Sequence, residues 1–108
     1  MSAEYVQVNI GRNVGGVPMS DERWDRFHAD ITMALLKAYR GNGVPNVSFH
    51  TGEGFWNDET TGELMSEESA YISTFADIDA FALRVDLARL RDEYGQDAIA
   101  LIIGSDLI

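Results

Sequence analysis

Hydrophobic positions recur along this chain with two different periods. Tyr5 to Ile10 alternates, with Val6, Val8 and Ile10 on one side and Tyr5, Gln7 and Asn9 on the other. A period of two predicts a strand buried on one face. The glycines and proline of Gly11 to Pro18 break the alternation and predict a loop. Trp24, Phe27, Ile31, Ala34, Leu35 and Ala38 then follow at three- and four-residue steps, the apolar stripe of an amphipathic helix. Ser20 is its N-cap, and Asp21 and Glu22 suit the positive end of the helix dipole. Lys37 and Arg40 suit the other end near Tyr39, and Gly41-Asn42-Gly43 terminates the helix.

The second half repeats the sequence of periods. Asn46 to His50 predicts a strand with Val47 and Phe49 facing one way. Gly52-Glu53-Gly54 interrupts it and Phe55-Trp56 resumes it. Asn57 to Gly62 has turn chemistry, so a hairpin is expected. From Ser69 to Phe75 the chain alternates again, Ala70, Ile72 and Thr74 against Tyr71, Ser73 and Phe75. Asp77 or Asp79 caps a second helix with Leu83, Leu87, Leu90 and Tyr94 on its apolar face and Ile78, Phe81, Val85 and Ala88 widening it. Gly95 follows as the residue after the C-cap. Ala98 to Ile103 is a continuous apolar run, read as a buried last strand.

Strand, helix, strand, strand, helix, strand is the ferredoxin-like βαββαβ order. It predicts an α+β domain over residues 1–108, with a four-stranded antiparallel sheet and two helices on one face. The open sheet face would carry Tyr5 and Asn9 from the first strand and Tyr71 and Phe75 from the third. Certain short motifs carry a resemblance. They are Val8-Asn9-Ile10-Gly11-Arg12, Ser20-Asp21-Glu22-Arg23-Trp24-Asp25-Arg26-Phe27, Gly54-Phe55-Trp56, Glu67-Glu68-Ser69 and Tyr94-Gly95-Gln96. In these the chain resembles an uncharacterised family of small bacterial ferredoxin-like proteins. It departs from that family in having no cysteine and no export signal, and in the residues around Gly95. The resemblance implies the fold and no activity.

Charge adds a second theme. From Gly41 to Leu83, 43 residues contain no Lys or Arg and eight carboxylates, Glu53, Asp58, Glu59, Glu63, Glu67, Glu68, Asp77 and Asp79. That stretch holds −8 of the formal −10, while the other 65 residues hold ten acids and eight bases. Such charge disfavours nucleic acid and anionic membrane as direct partners, and favours a cation or a basic protein surface. Without cysteine there is no disulfide, thiolate nucleophile or Cys-based metal site. With no apolar run near membrane length, the chain reads as a cytoplasmic protein.

Candidate chemistry is sparse. Gly11, Arg12, Gly15 and Gly16 precede a helix N-terminus but match no phosphate-binding fingerprint, so they are read as a connection that needs glycine. His28 and His50 lack metal-ligand spacing, and no cofactor or metal is expected. Adjacent carboxylates such as Glu67 and Glu68 point to opposite sides of a strand and do not converge as an acid–base pair. Phe49, Phe55 and Trp56 are read mainly as core. The enzyme class therefore has little support.

Two functions remain. The first is a non-enzymatic acidic module whose Glu53, Asp58, Glu59, Glu63, Glu67 and Glu68 occupy the basic surface of a nucleic-acid-binding protein. In size, charge and lack of cysteine it resembles phage-encoded inhibitors of bacterial defence, anti-CRISPR proteins among them. The alternative is a homodimeric domain that binds or transforms a small molecule on the face bearing Tyr5, Asn9, Tyr71 and Phe75.

Overall fold

The computed structural model describes residues 3–104. Strand β1 (Glu4–Gly11) leads into a small ribbon of β2 (Asn13–Val14) and β3 (Val17–Pro18), then helix α1 (Asp21–Ala38). Strands β4 (Val47–Asn57) and β5 (Leu64–Ala76), helix α2 (Ala80–Glu93) and strand β6 (Ala100–Gly104) follow. The main sheet has the order β4-β5-β1-β6, and each neighbouring pair is antiparallel. Two helices and this strand order make the ferredoxin-like α+β arrangement that the periodicity predicts.

Both helices cover the same sheet face. Phe27, Ile31 and Leu35 of α1 and Leu83 and Leu90 of α2 are fully buried with Val6, Val8 and Ile72 of the sheet. Each large side chain buried this way contributes about 1.5–3 kcal/mol. Phe27 also stacks on Tyr94, with ring centroids 4.4 Å apart. Ser20 caps α1 by accepting the Arg23 N–H at 3.2 Å, and Asp79 caps α2 by accepting the Ala82 N–H at 3.1 Å. That donor, with help from Arg40, holds the Asp79 carboxyl below the usual range. Gly95, at φ +67°, ends α2 in the left-handed conformation that glycine permits.

Several expectations are corrected. The Gly11–Pro18 segment is a short hairpin rather than a plain loop. Its turn is Gly15-Gly16, both at positive φ, as a tight two-residue turn requires. The α1 helix ends before the Gly41–Gly43 glycines, because Tyr39 turns to extended backbone and bridges Ile78. Gly52 and Gly54 do not interrupt β4, which runs unbroken through eleven residues. Phe81 and Val85 do not widen the apolar face of α2; they are exposed, Phe81 at 77%. Nor is β6 a buried strand: it closes one edge of the sheet, and every second residue is open to solvent.

Beyond the Gly52–Ser69 pair, β4 and β5 form ladder pairs only with each other among the described residues. Glu53 to Glu68 thus makes a two-stranded arm projecting past the end of the sheet. The arm closes through Asp58, whose carboxylate accepts the backbone N–H groups of Thr60 and Thr61 at 2.8 and 2.9 Å. Those donors keep the Asp58 carboxyl below its ordinary range.

Candidate functional site

Register fixes what the open sheet face displays. Across β1 and β5 it pairs Tyr5 with Phe75, Gln7 with Ser73, Asn9 with Tyr71 and Gly11 with Ser69. On β4 the same rows continue through Ser48, His50 and Gly52. The four residues expected on this face are therefore all there, Asn9 beside Tyr71 and Tyr5 beside Phe75. A side-chain chain of hydrogen bonds ties part of it together: Tyr5 Oη donates to Gln7 at 2.7 Å, and Gln7 Nε2 donates to Asn9 at 2.7 Å.

One row stands out for what it lacks. Gly11, Ser69 and Gly52 lie side by side across three strands; the Glu67 carboxylate lies over Gly11, and the row is open at Gly52. Tyr71 and His50 bound it on one side. On the other, the arm presents Glu67 and Trp56 on the same face. Added at Gly52, a Cβ would meet only the Ser69 hydroxyl at 3.8 Å, and at Gly54 it would meet nothing. That Ser69 hydroxyl is buried and has no hydrogen-bond partner among the described residues.

Next to Gly11, a cleft of about 320 Å³ is built from three segments. Trp56 and Glu67 come from the arm, Gly15 and Gly16 from the β2–β3 turn, and Asp97 and Ala98 from the approach to β6. Gln96 fixes the third segment to the second by donating to the Asn13 carbonyl at 3.1 Å. Glu67 lies across Gly11 and accepts the Asn13 N–H at 2.9 Å. The cleft thus offers an aromatic ring, two carboxylates, and glycines that let a ligand approach the backbone. These are means of holding a cation and of accepting hydrogen bonds from hydroxyl groups.

The six carboxylates expected to form one docking array are divided by the structure. Glu67 belongs to the cleft. Its neighbour Glu68 points to the helix side and pairs with Arg12 at 3.0 Å, and Asp58 is spent on the arm's turn. Glu53, Glu59 and Glu63 have no cationic partner among the described residues. Arg12 is engaged throughout: it also pairs with Asp21 and donates from Nε to the Met19 carbonyl at 2.8 Å. Hydrogen bonds to Asp21 and Glu68 raise its already high pKa.

The aromatic residues also depart from expectation. Phe49, Phe55 and Trp56 are exposed rather than core. His28 sits between α1 and β4, its ring 4.2 Å from Trp24 and 4.7 Å from Phe49. Its Nε2 is buried without a partner among the described residues, and burial lowers its pKa. Trp56, Asp97 and the glycine row were missed because they meet only through register and a loop far away in sequence.

No family model matches the chain, and no curated protein does. Solved structures do. A phage SAM lyase in complex with S-methyl-5'-thioadenosine is 19% identical, with a TM-score of 0.66 over 96% of this chain and 81% of that one. A phage SAM lyase in its apo state is 21% identical, with a TM-score of 0.55 over 94% and 79%. The GlnK–ATP complex of B. subtilis is 14% identical, with a TM-score of 0.53 over 100% and 88%. At these identities the likeness is one of fold: this chain has the fold of small α+β proteins that include a phage lyase and a GlnK.

Proposed function

We propose that this chain binds a cationic adenosine derivative, S-adenosylmethionine, in the Trp56–Glu67–Asp97 cleft and breaks its carbon–sulfur bond as a lyase. The observation that carries the proposal is the cleft itself, an aromatic ring and two carboxylates around Gly11, Gly15 and Gly16. Two proteins of similar fold form complexes with adenosine compounds, one with S-methyl-5'-thioadenosine and one with ATP. Charge chooses between those ligand classes. A chain of net charge −10 repels a triphosphate and attracts a sulfonium. The sulfonium needs no protein nucleophile or metal to become a leaving group. Its carbon–sulfur bond breaks with the electron pair going to sulfur, leaving a neutral thioether such as S-methyl-5'-thioadenosine. With no water added, the substrate's own carboxylate oxygen attacks Cγ as the carbon–sulfur bond breaks, so the amino-acid fragment departs as a lactone and no proton has to be moved.

Because the positive charge disappears during this step, a carboxylate beside it favours the bound substrate over the transition state. Glu67→Gln is thus expected to raise KM about tenfold, the size of one charged contact, with a smaller change in kcat. The test is incubation with S-adenosylmethionine and chromatography for S-methyl-5'-thioadenosine. Absence of product, together with absence of a thermal shift by either compound, sinks the proposal.

A second function is favoured by the projecting arm, whose Glu53, Glu59 and Glu63 stand free. On this view the chain is a protein-binding module, a phage-type inhibitor of a bacterial defence protein among the forms it takes. It predicts that reversing Glu53, Glu59 and Glu63 abolishes capture of a basic partner in a low-salt pull-down. Undiminished capture by that variant would exclude it.

A further inference from the structure

We infer that the partner of the arm is a second copy of this chain, which receives it in the groove between α2 and β6. The inference rests on the arm being a docking element, and its groove borders the ligand cleft through Asp97 and Ala98. The groove is lined by Arg84, Leu87, Ala88, Arg91, Ile99 and Leu101, with Asp97 at one end. It lies along a strand that ends the sheet, so among the described residues one backbone edge of β6 has no strand beside it. Its floor is apolar and its rim is arginine, in a molecule whose net charge is −10. Arg84 and Arg91 are two helical turns apart and so share one flank of α2. Arg84 has no carboxylate partner among the described residues, and Arg91 pairs only with its neighbour Asp92.

The arm has the complementary composition. Register puts Phe55 and Leu64 on the same face, 63% and 71% exposed. Glu53 is two residues from Phe55 on the same strand, and Glu59 and Glu63 lie in the connection between the two strands. An arm cannot reach the groove of its own chain, because β5 and β1 separate the β4 edge from the β6 edge. Between copies the contact is head to tail, arm to groove, and it repeats until a ring closes. Apolar surface supplies the adhesion, and the opposite charges supply speed and register.

The test is sedimentation velocity and light scattering on the full chain at low and high salt. Wild type is expected to associate at low salt and dissociate as salt rises. Arg84→Glu/Arg91→Glu and Glu59→Arg/Glu63→Arg are each expected to be monomeric alone. Mixed in equal amounts they should reassociate, because the reversed groove and the reversed arm then attract each other. Circular dichroism melts check that both variants fold. If the reversed groove does not fold, the milder Arg84→Gln/Arg91→Gln should still weaken association. A wild-type monomer at low salt overturns the inference while leaving capture of a foreign basic protein open. Association that survives both reversals and high salt also overturns it, and is what apolar pairing of the open sheet faces would produce.

Discussion

A methyl group at Gly11 would lie 2.5 Å from Glu67 Oε1 and 2.7 Å from Cδ. The carboxylate must then leave its place over β1, and as the end of a flexible chain it can do so without unfolding the sheet. Gly11→Ala is therefore expected to keep its melting temperature and to lose affinity for S-adenosylmethionine about as Glu67→Gln does, near tenfold; calorimetric titration of both variants checks this. His28 makes a second prediction. Burial lowers its pKa below the ordinary value of 6.5, with Asp25 and Glu68 opposing the shift and Arg12 adding to it. The folded state thus favours the neutral ring, and the stability this gives is present above pH 6.5 and lost as pH falls through the folded value. Melting temperature should fall on acidification below about pH 6.5, and His28→Gln should flatten that fall. Tyr94 acts at the other end of the scale. Burial and the 2.6 Å hydrogen bond it donates to Asp30 push its pKa to about 12. Its contribution is complete below pH 10, the ordinary value, and disappears as pH rises through about 12.

Among the elements, the helices stand on strong local signals and the arm on weak ones. Ser20→Ala removes the α1 cap and should cost about 1 kcal/mol by denaturant titration. At the base of the arm and on it, Gly52 and Gly54 occupy open β4 positions where no contact demands glycine. Gly52→Val and Gly54→Val should leave the fold unharmed or firmer, since valine suits a strand better than glycine. Gly54 pairs with Glu67 and lies two residues from Trp56, so a valine there should weaken ligand binding by crowding those two cleft residues, whereas Gly52→Val, which is outside the cleft lining, should leave binding intact; binding unchanged in both would mean that the ligand sits elsewhere. These same glycines show why the sequence was legible only in part. The helix stripe from Trp24 to Ala38 and the alternation of Val6, Val8 and Ile10 declare burial through spacing alone, and the structure buries every one of those residues. Gly52-Glu53-Gly54 carries the composition of a turn, but pairing with β5 keeps it extended. Phe81 and Val85 have the chemistry of core residues and the wrong helical phase. The cleft was still harder to see. Gly11, Trp56, Glu67 and Asp97 meet through register and topology, not through a spacing that a motif would display.

At the scale of the whole molecule, an excess of ten negative charges acts on stability as well as on partners. Glu53 lies directly across from Glu68 in the ladder, and Arg12 neutralises only the second of them. Glu59 and Glu63 stand close by at the arm's tip. Against this repulsion stand ion pairs such as Lys37–Asp86, Arg40–Asp79 and Arg89–Glu93. Exposed pairs of this kind are worth about 0–1 kcal/mol each and weaken in salt. The two effects respond to salt with opposite sign, so the sign of the salt dependence measures which dominates. Most acids of the 41–83 stretch have no cationic partner among the described residues, so repulsion outweighs attraction. Thermal stability at neutral pH should therefore rise with sodium chloride, by about 1 kcal/mol or roughly 5 °C for a chain of this size. The melt belongs at a protein concentration low enough that association between copies adds nothing. Glu53→Lys relieves the cross-strand repulsion directly and should raise the low-salt melting temperature while shrinking the gain from salt. A melting temperature that falls as salt is added would instead mean that the few ion pairs outweigh the acidic excess.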